Sequence, residues 1–263
     1  MRILFIGDIL GQPGRRMVKE GLPLLREELQ PDLVLANAEN AAAGFGITPS
    51  LVEELLDLDI AVLTSGNHIW DKKEIYPYFR DQVNGRLLRP ANYPGDSPGR
   101  GLYVGKTLTG IGYAVMNLQG RVFMPALDCP FRKADELLRS IPEDMKIRIV
   151  DMHAEATSEK QALGWYLDGR VTAVVGTHTH VPTADETVLP QGTAYQTDLG
   201  MTGPYESVIG MEREAIIQKF LDQLPSRFEV AKGDVRLCGV LIEADHETGH
   251  ALSIQRILRK QFS

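Results

Sequence analysis

The chain has 263 residues, 43% of them hydrophobic and 24% charged, the composition of an ordinary globular protein long enough to bury a full core. Its formal charge of −7 argues against a broad basic surface for duplex nucleic acid, so a small anionic substrate would depend on local positive charge such as bound metal. No run approaches the ~18–20 apolar residues of a membrane-spanning helix, the N-terminal apolar run is too short for a signal peptide, and Cys129 and Cys238 lack pairing or metal spacing, which points to a reducing, cytoplasmic setting.

Taken in order, Ile3-Leu4-Phe5-Ile6 reads as a buried strand ending at Gly7-Asp8. Gly11-Gln12-Pro13-Gly14 reads as loop before a helix from Arg15 to Leu29. Leu33 to Ala36 is a second strand, ending in Asn37-Ala38-Glu39-Asn40. Thr48-Pro49 sets a helix start, an N-cap followed by proline at the first helical position, and that helix runs to about Asp57. Ile60 to Leu63 is a third strand, running into Gly66-Asn67-His68. Strand, helix, strand, helix, strand with short connections predicts an α/β layered fold with parallel strands.

Residues 70–110 are rich in Pro, Gly and Arg and read as loops, with one helix over Lys72 to Arg80. Gly112 to Gln119 is a strand candidate and Phe131 to Arg139 a short helix. Ile147 to Val150 is a strand ending in Asp151-Met152-His153, and a helix covers Ser158 to Leu167. Val171 to Val175 is a strand running into Gly176-Thr177-His178-Thr179-His180; residues two apart in extended backbone share a side, so the two histidines are expected to leave the strand together. Thr193 to Gln196 reads as a short strand and Glu212 to Leu224 as an amphipathic helix. Val235 to Ala244 and His250 to Arg259 flank the turn Asp245 to Gly249, a hairpin signal. No repeat or linker divides the chain, so one domain over 1–263 is expected.

Five apolar runs thus end in residues able to bind a metal: Asp8; Glu39 and Asn40; Asn67 with His68; His153; His178 with His180. Carboxylate, amide and imidazole ligands together suit Mn, Fe or Zn better than Mg or Ca. They exceed the need of one ion, and two metals bridged by a carboxylate would use them.

In this order these residues resemble the calcineurin-like metallophosphoesterase superfamily, with Gly66-Asn67-His68 and Gly176-Thr177-His178-Thr179-His180 as the most specific marks. Two departures stand out. Asp8-Ile9-Leu10 replaces the usual Asp-x-His, and Asn37-Ala38-Glu39-Asn40 replaces the usual Gly-Asp. Both are shared by the narrower YmdB-like phosphodiesterases, which Gly7 to Gly11, Ala38 to Ala41 and Thr197 to Gly203 also resemble. The resemblance implies a four-layer α/β/β/α sandwich of two mixed β-sheets, with the C-terminal hairpin in the second sheet. It implies Asp8, Asn40 and His180 on one metal, Asn67, His153 and His178 on the other, Glu39 bridging, and His68 as proton donor. The expected activity is hydrolysis of a phosphodiester by a hydroxide shared between two Fe or Mn ions, Zn being a further candidate. The expected substrate is a 2′,3′- or 3′,5′-cyclic nucleotide or an RNA-derived end. A phosphomonoesterase, and a metal-binding regulator with little turnover, are the rival readings; homo-oligomer formation is left open.

Other residues carry plainer expectations. Arg15-Arg16 and Arg86 to Arg89 are expected on solvated faces, as are His246 and His250. Trp70 and Tyr93 fit base stacking at a site mouth or plain packing equally well. Asp198 to Gly203 reads as a loop beside the metals, without assigned chemistry.

Overall fold

The computed structural model describes residues 1–81 and 85–260. β1 (Arg2–Ile6), α1 (Gly11–Leu29), β2 (Leu33–Asn37), α2 (Pro49–Leu56) and β3 (Val62–Thr64) follow in turn. β1 pairs parallel with β2, and β2 with β3, because each helix crossover returns the chain in the same direction. One boundary departs from expectation. Gly11-Gln12-Pro13-Gly14 forms the first turn of α1 and is not loop. First-turn N–H groups have no intrahelical acceptor, so Pro13 forfeits no bond there.

The chain continues through a 3-10 turn (Asn67–Trp70), α3 (Ile75–Asp81), β4 (Leu102–Lys106), β5 (Gly112–Gln119), α4 (Pro130–Ser140), β6 (Ile147–His153), α5 (Thr157–Leu167) and β7 (Ala173–Thr177). It ends with β8 (Thr187–Val188), β9 (Ala194–Gln196), β10 (Gly203–Pro204), α6 (Arg213–Asp222), β11 (Val235–Ala244) and β12 (Ala251–Lys260). Residues 82–84 of the stretch expected as loop lie outside the described residues. β4 falls within that stretch and carries no strand signal: it is a half-exposed edge strand, antiparallel to β5, with no clean apolar alternation.

Among the described residues there are two six-stranded sheets, both mixed. In the first, β1, β2 and β3 are extended by β11, which pairs with β10 and β12 as well as β1. The second runs β4-β5-β6-β7-β9-β8. The C-terminal hairpin therefore belongs to the first sheet, correcting the expectation that placed it in the second. β11 lies antiparallel to β1, from Arg2 opposite Glu243 to Ile6 opposite Gly239. Its sequence explains the position. Leu237 and Leu241 face one core while Val240 and Ile242 face another, and a strand apolar on both faces needs a place with both faces covered.

The four layers follow from three apolar clusters. Ile3, Phe5, Leu35 and Ile242 of the first sheet meet Val115, Ile149 and Val175 of the second between the sheets. Leu4, Ile6 and Leu63 point the other way, under Met17, Leu22 and Leu25 of α1 and Val52 and Leu55 of α2. Met116, Val150 and Val174 do the same on the far side, under Ala134 of α4 and Leu163 of α5. The fold is the α/β/β/α sandwich. Its parallel strands β1, β2, β3, β6 and β7 all deliver their C-terminal ends to one edge, where α/β sheets keep their sites. Among the described residues no helix is long and apolar enough to cross a membrane.

Candidate metal centre

His153 stands at the middle of that edge, fully buried at the end of β6. Thr177 Oγ1 donates to Asp151 Oδ1 at 2.7 Å, so it must accept from His153 Nδ1–H, 2.9 Å away. The ring is thereby held with Nε2 facing inward. Within 3.0 Å of His153 Nε2 lie Glu39 Oε1, Asn67 Oδ1 and His178 Nδ1. His178 Nε2 is turned to Glu155 Oε2 at 3.2 Å, which leaves Nδ1 as the inward lone pair. A carboxylate oxygen, an amide oxygen and two imidazole nitrogens thus converge with no other donor among them. Such a point attracts a cation, either a proton or a metal ion. Ionisation reflects this: burial disfavours the charged form of both partners, yet His153 brings Glu39 down to about 2, and Glu39 raises His153. Burial and then His153 lower His178 to about 3, keeping its lone pair free at neutral pH. Glu39, His153 and His178 form a group able to hold a metal ion.

A second set of ligand atoms adjoins the first. Asn40 Nδ2 lies 3.3 Å from Glu39 Oε1 and 3.1 Å from His180 Nε2. His180 donates Nδ1–H to the Ile209 carbonyl at 2.9 Å, so its Nε2 is the free lone pair, and burial keeps the ring neutral. Asp8 is fully buried. Its Oδ2 accepts from the His178 backbone N–H at 3.3 Å, and among the described residues its Oδ1 has no partner. Burial, reinforced by Asp198, raises its pKa well above the usual carboxylate range. A bare buried carboxylate oxygen costs free energy that a cation would recover. The residues therefore fit a metal pair: one orphaned oxygen, lone pairs aimed at two adjacent points, and Glu39 touching both sets.

The two histidines do not leave β7 in extended backbone, as the His-x-His spacing suggested. β7 ends at Thr177, and His178 and His180 both take positive φ, 101° and 66°. Left-handed backbone at non-glycine residues costs on the order of 1–3 kcal/mol each and persists only where the surroundings hold it. The holding group is Asp198. It accepts from Thr179 N–H at 3.0 Å, Thr179 Oγ1 at 2.7 Å and Gly200 N–H at 2.9 Å, and pairs with Lys160 Nζ at 2.7 Å. Lys160 and Asp198 are both buried.

His68 lies in the 3-10 turn after β3. Its backbone N–H donates to Glu39 Oε2 at 3.1 Å, and its Nδ1 meets Asp71 Oδ2 at 2.8 Å. The remaining ring nitrogen, Nε2, is the one left to serve the pocket that His68 lines together with Glu39, Asn40, Glu155, His178 and His180. Gly66, just before, has no room for a side chain, since a Cβ there would sit 2.1 Å from the His153 ring. Gly66→Ala must displace that ring or the Asn67-His68 turn. Misplacement of about 1 Å costs ~10²-fold in rate, so we expect kcat/KM to fall by that order with the fold retained. Wild-type kinetics in this variant would remove the close packing from the site's design.

Comparisons place this geometry in a family. The model described as YmdB-like protein matches residues 4–257. The chain belongs to the YmdB-like family. It is 53% identical over 258 residues to a Bacillus subtilis protein named 2′,3′-cyclic-nucleotide 2′-phosphodiesterase, covering 98% of this chain and 97% of that one. A hypothetical protein from Thermus thermophilus, of known crystal structure, is 42% identical, with a TM-score of 0.92 over 99% of this chain and 100% of that one. A crystal structure from Mycoplasma pneumoniae, described as a novel phosphatase, is 35% identical, with a TM-score of 0.92, covering 99% and 94%. The fold is accordingly of the metallophosphoesterase type.

Several residues of this YmdB-like site have a role that the sequence does not show, three of them, Asn37, Asp151 and Thr177, inside the quoted motifs. Lys160, Asp151, Asn37, Thr177, Glu155 and Asp71 support the ligand atoms, and Asn37 Nδ2 and Thr64 Oγ1 both donate to Asp151. Asp198 is legible as a neighbour of the site, but its role is not. Other expectations change. Arg89 is buried and donates to the Pro90, Ser97 and Pro98 carbonyls, so it ties a loop together and does not sit on a solvated face. Arg15 donates to the Ala41 carbonyl, and Arg86 to those of Ile60 and Ala61. Trp70 packs among Tyr76, Phe79 and Tyr93, with ring centroids 5.3, 5.6 and 5.7 Å away, which favours packing over base stacking. His246 and His250 are exposed at the hairpin turn.

Proposed function

We propose that this protein is a dinuclear-metal phosphodiesterase acting on cyclic nucleotides, 2′,3′-cyclic ones first, in the reducing cytoplasm that its two free cysteines suggest. The observation that carries the reading is Glu39, whose Oε1 touches both His153 Nε2 and Asn40 Nδ2. Phosphoric diester hydrolysis as such accords with the family; the 2′,3′-cyclic class is suggested by the name of the Bacillus subtilis relative.

Asp8, Asn40 and His180 would hold one ion, Asn67, His153 and His178 the other, with Glu39 shared. Asn40 would turn its amide to present Oδ1. Two transition-metal ions bound there, Fe or Mn before Zn, would supply Lewis acidity at the phosphoryl oxygens and lower the pKa of attacking water. The chain's own groups do the rest. Thr177, backed by Asp151, keeps the His153 lone pair pointed inward, and the Ile209 carbonyl does the same for His180. His68, with Nδ1–H held by Asp71, would as the imidazolium carry at Nε2 the proton that the leaving alkoxide needs.

The first test is metal content per chain of protein purified without chelator, alongside hydrolysis of bis-p-nitrophenyl phosphate and p-nitrophenyl phosphate. About two ions and a preference for the diester are expected. One ion or none after reconstitution, with neither ester turned over, would leave the regulator reading in front; a preference for the monoester would favour the phosphatase. Glu39→Gln tests the bridge separately. Losing the charge next to both ligand sets should lower metal content to about one ion or less, and two ions at full occupancy would sink the bridging role.

A further inference from the structure

The site pocket, about 370 Å³ in volume, has two unlike walls. One carries the ligand atoms and His68. The other is made of Ile209, Met211, Ile216 and Phe228, and Phe45, whose ring meets the His68 ring edge to face with centroids 5.1 Å apart, joins the two; none of these five has a strong side-chain donor or acceptor. A cavity of this size, apolar with convergent polar groups on one side, is the usual form of a small-molecule site. This wall is built in advance: Met211 forms a small core with Leu10 and Met201, against which Phe45, Ile216 and Phe228 pack. Gly44 takes φ +92°, and a Cβ there would lie 2.7 Å from Met211 Cε. Lys219 Nζ sits 4.8 Å from the Phe228 ring centroid and so covers one of its faces.

Ile209 combines two costly features. It is β-branched with φ 46°, an outlying conformation for such a residue, and its side chain is 55% exposed. Its carbonyl is needed for His180, which accounts for the backbone. A glycine or asparagine would adopt that backbone more easily. A large apolar side chain exposed there is accounted for by something apolar that it receives.

We infer that this wall receives the nucleobase of the substrate and grips it by apolar and stacking contact alone, so that the protein accepts purine and pyrimidine bases alike. The inference rests on the cyclic-nucleotide reading above and adds what selects, or fails to select, the base. A site that hydrogen-bonds a specific group rejects analogues lacking it by ~10⁴–10⁵-fold, whereas apolar contact discriminates by only ~10–200-fold.

The experiment has two arms. In the first, adenosine, guanosine, cytidine and uridine, none of which carries a phosphate, are titrated into the purified protein by ligand-observed NMR. Saturable binding is expected, with Kd values within about tenfold of one another. Phe228→Ala and Phe45→Ala should each weaken adenosine by about tenfold, the lower end of what losing a buried aromatic contact costs. No saturable binding, binding unchanged in both variants, or one base favoured more than ~100-fold would overturn the inference. In the second arm, metal-loaded enzyme is assayed on 2′,3′-cyclic AMP and on methyl p-nitrophenyl phosphate, a diester without a base. The ratio of the two kcat/KM values should fall about tenfold in Phe228→Ala; an unchanged ratio overturns the inference. Loss of the metal-dependent hydrolysis in wild-type protein would instead refute the phosphodiesterase reading, while nucleoside binding would stand on its own result.

Discussion

His68→Ala is expected to lower kcat on 2′,3′-cyclic nucleotides by ~10²–10⁴-fold, the usual contribution of a positioned general acid, with metal content unchanged. The reason lies in the leaving group. Opening a cyclic phosphodiester expels a ribose alkoxide, a strong base that cannot depart without a proton. p-Nitrophenolate is a weak base and can. The same variant should therefore lose far less activity on bis-p-nitrophenyl phosphate than on the cyclic nucleotide. Structure favours a clean experiment: His68 meets Glu39 through its backbone N–H, which alanine retains, so the ligand set need not shift. Its ring also has Nδ1–H committed to Asp71, so the proton delivered from Nε2 is that of the imidazolium. An equal loss on both substrates would show that His68 does not deliver the proton, and a drop in metal content would assign it to the ligand set.

Lys160→Met should cost on the order of 3–5 kcal/mol of stability, the usual penalty for leaving one member of a buried ion pair without its partner. The pair spans α5 and the segment after β9, at 2.7 Å and with both side chains out of solvent. Asp198 is also what holds Thr179, and with it the strained turn that carries His178 and His180. The variant should accordingly show lower urea resistance and, under conditions where it is still folded, weaker metal retention. Urea unfolding and metal analysis on one preparation read both. Adding Asp198→Asn should return part of the stability, because the orphaned charge is removed while an amide oxygen can still accept from Thr179. A Lys160→Met protein within about 0.5 kcal/mol of wild type, the range of an ordinary surface substitution, would mean the pair is not what stabilises the turn.

Much of this site was legible because its signals are local. An apolar run that stops at Asp8, at Glu39-Asn40, at Asn67-His68, at His153 or at His178 is visible one segment at a time, and the strand–helix alternation of the first 64 residues follows from periodicity and turn chemistry. By itself the sequence determined the layered class, the edge at which the chemistry sits and the donor types gathered there. It could not place the C-terminal hairpin, since a strand apolar on both faces suits either sheet, and only packing beside β1 decided between them. Nor could it see that His178 and His180 take left-handed backbone, or that Arg89 turns inward to three carbonyls. The supporting residues were hidden for one physical reason. Lys160 and Asp198 stand 38 residues apart, Asn37 and Asp151 114, and Thr64 and Asp151 87. No periodicity links such positions; the tertiary structure alone brings these charges and lone pairs into hydrogen-bonding reach of one another, where burial makes each depend on the other.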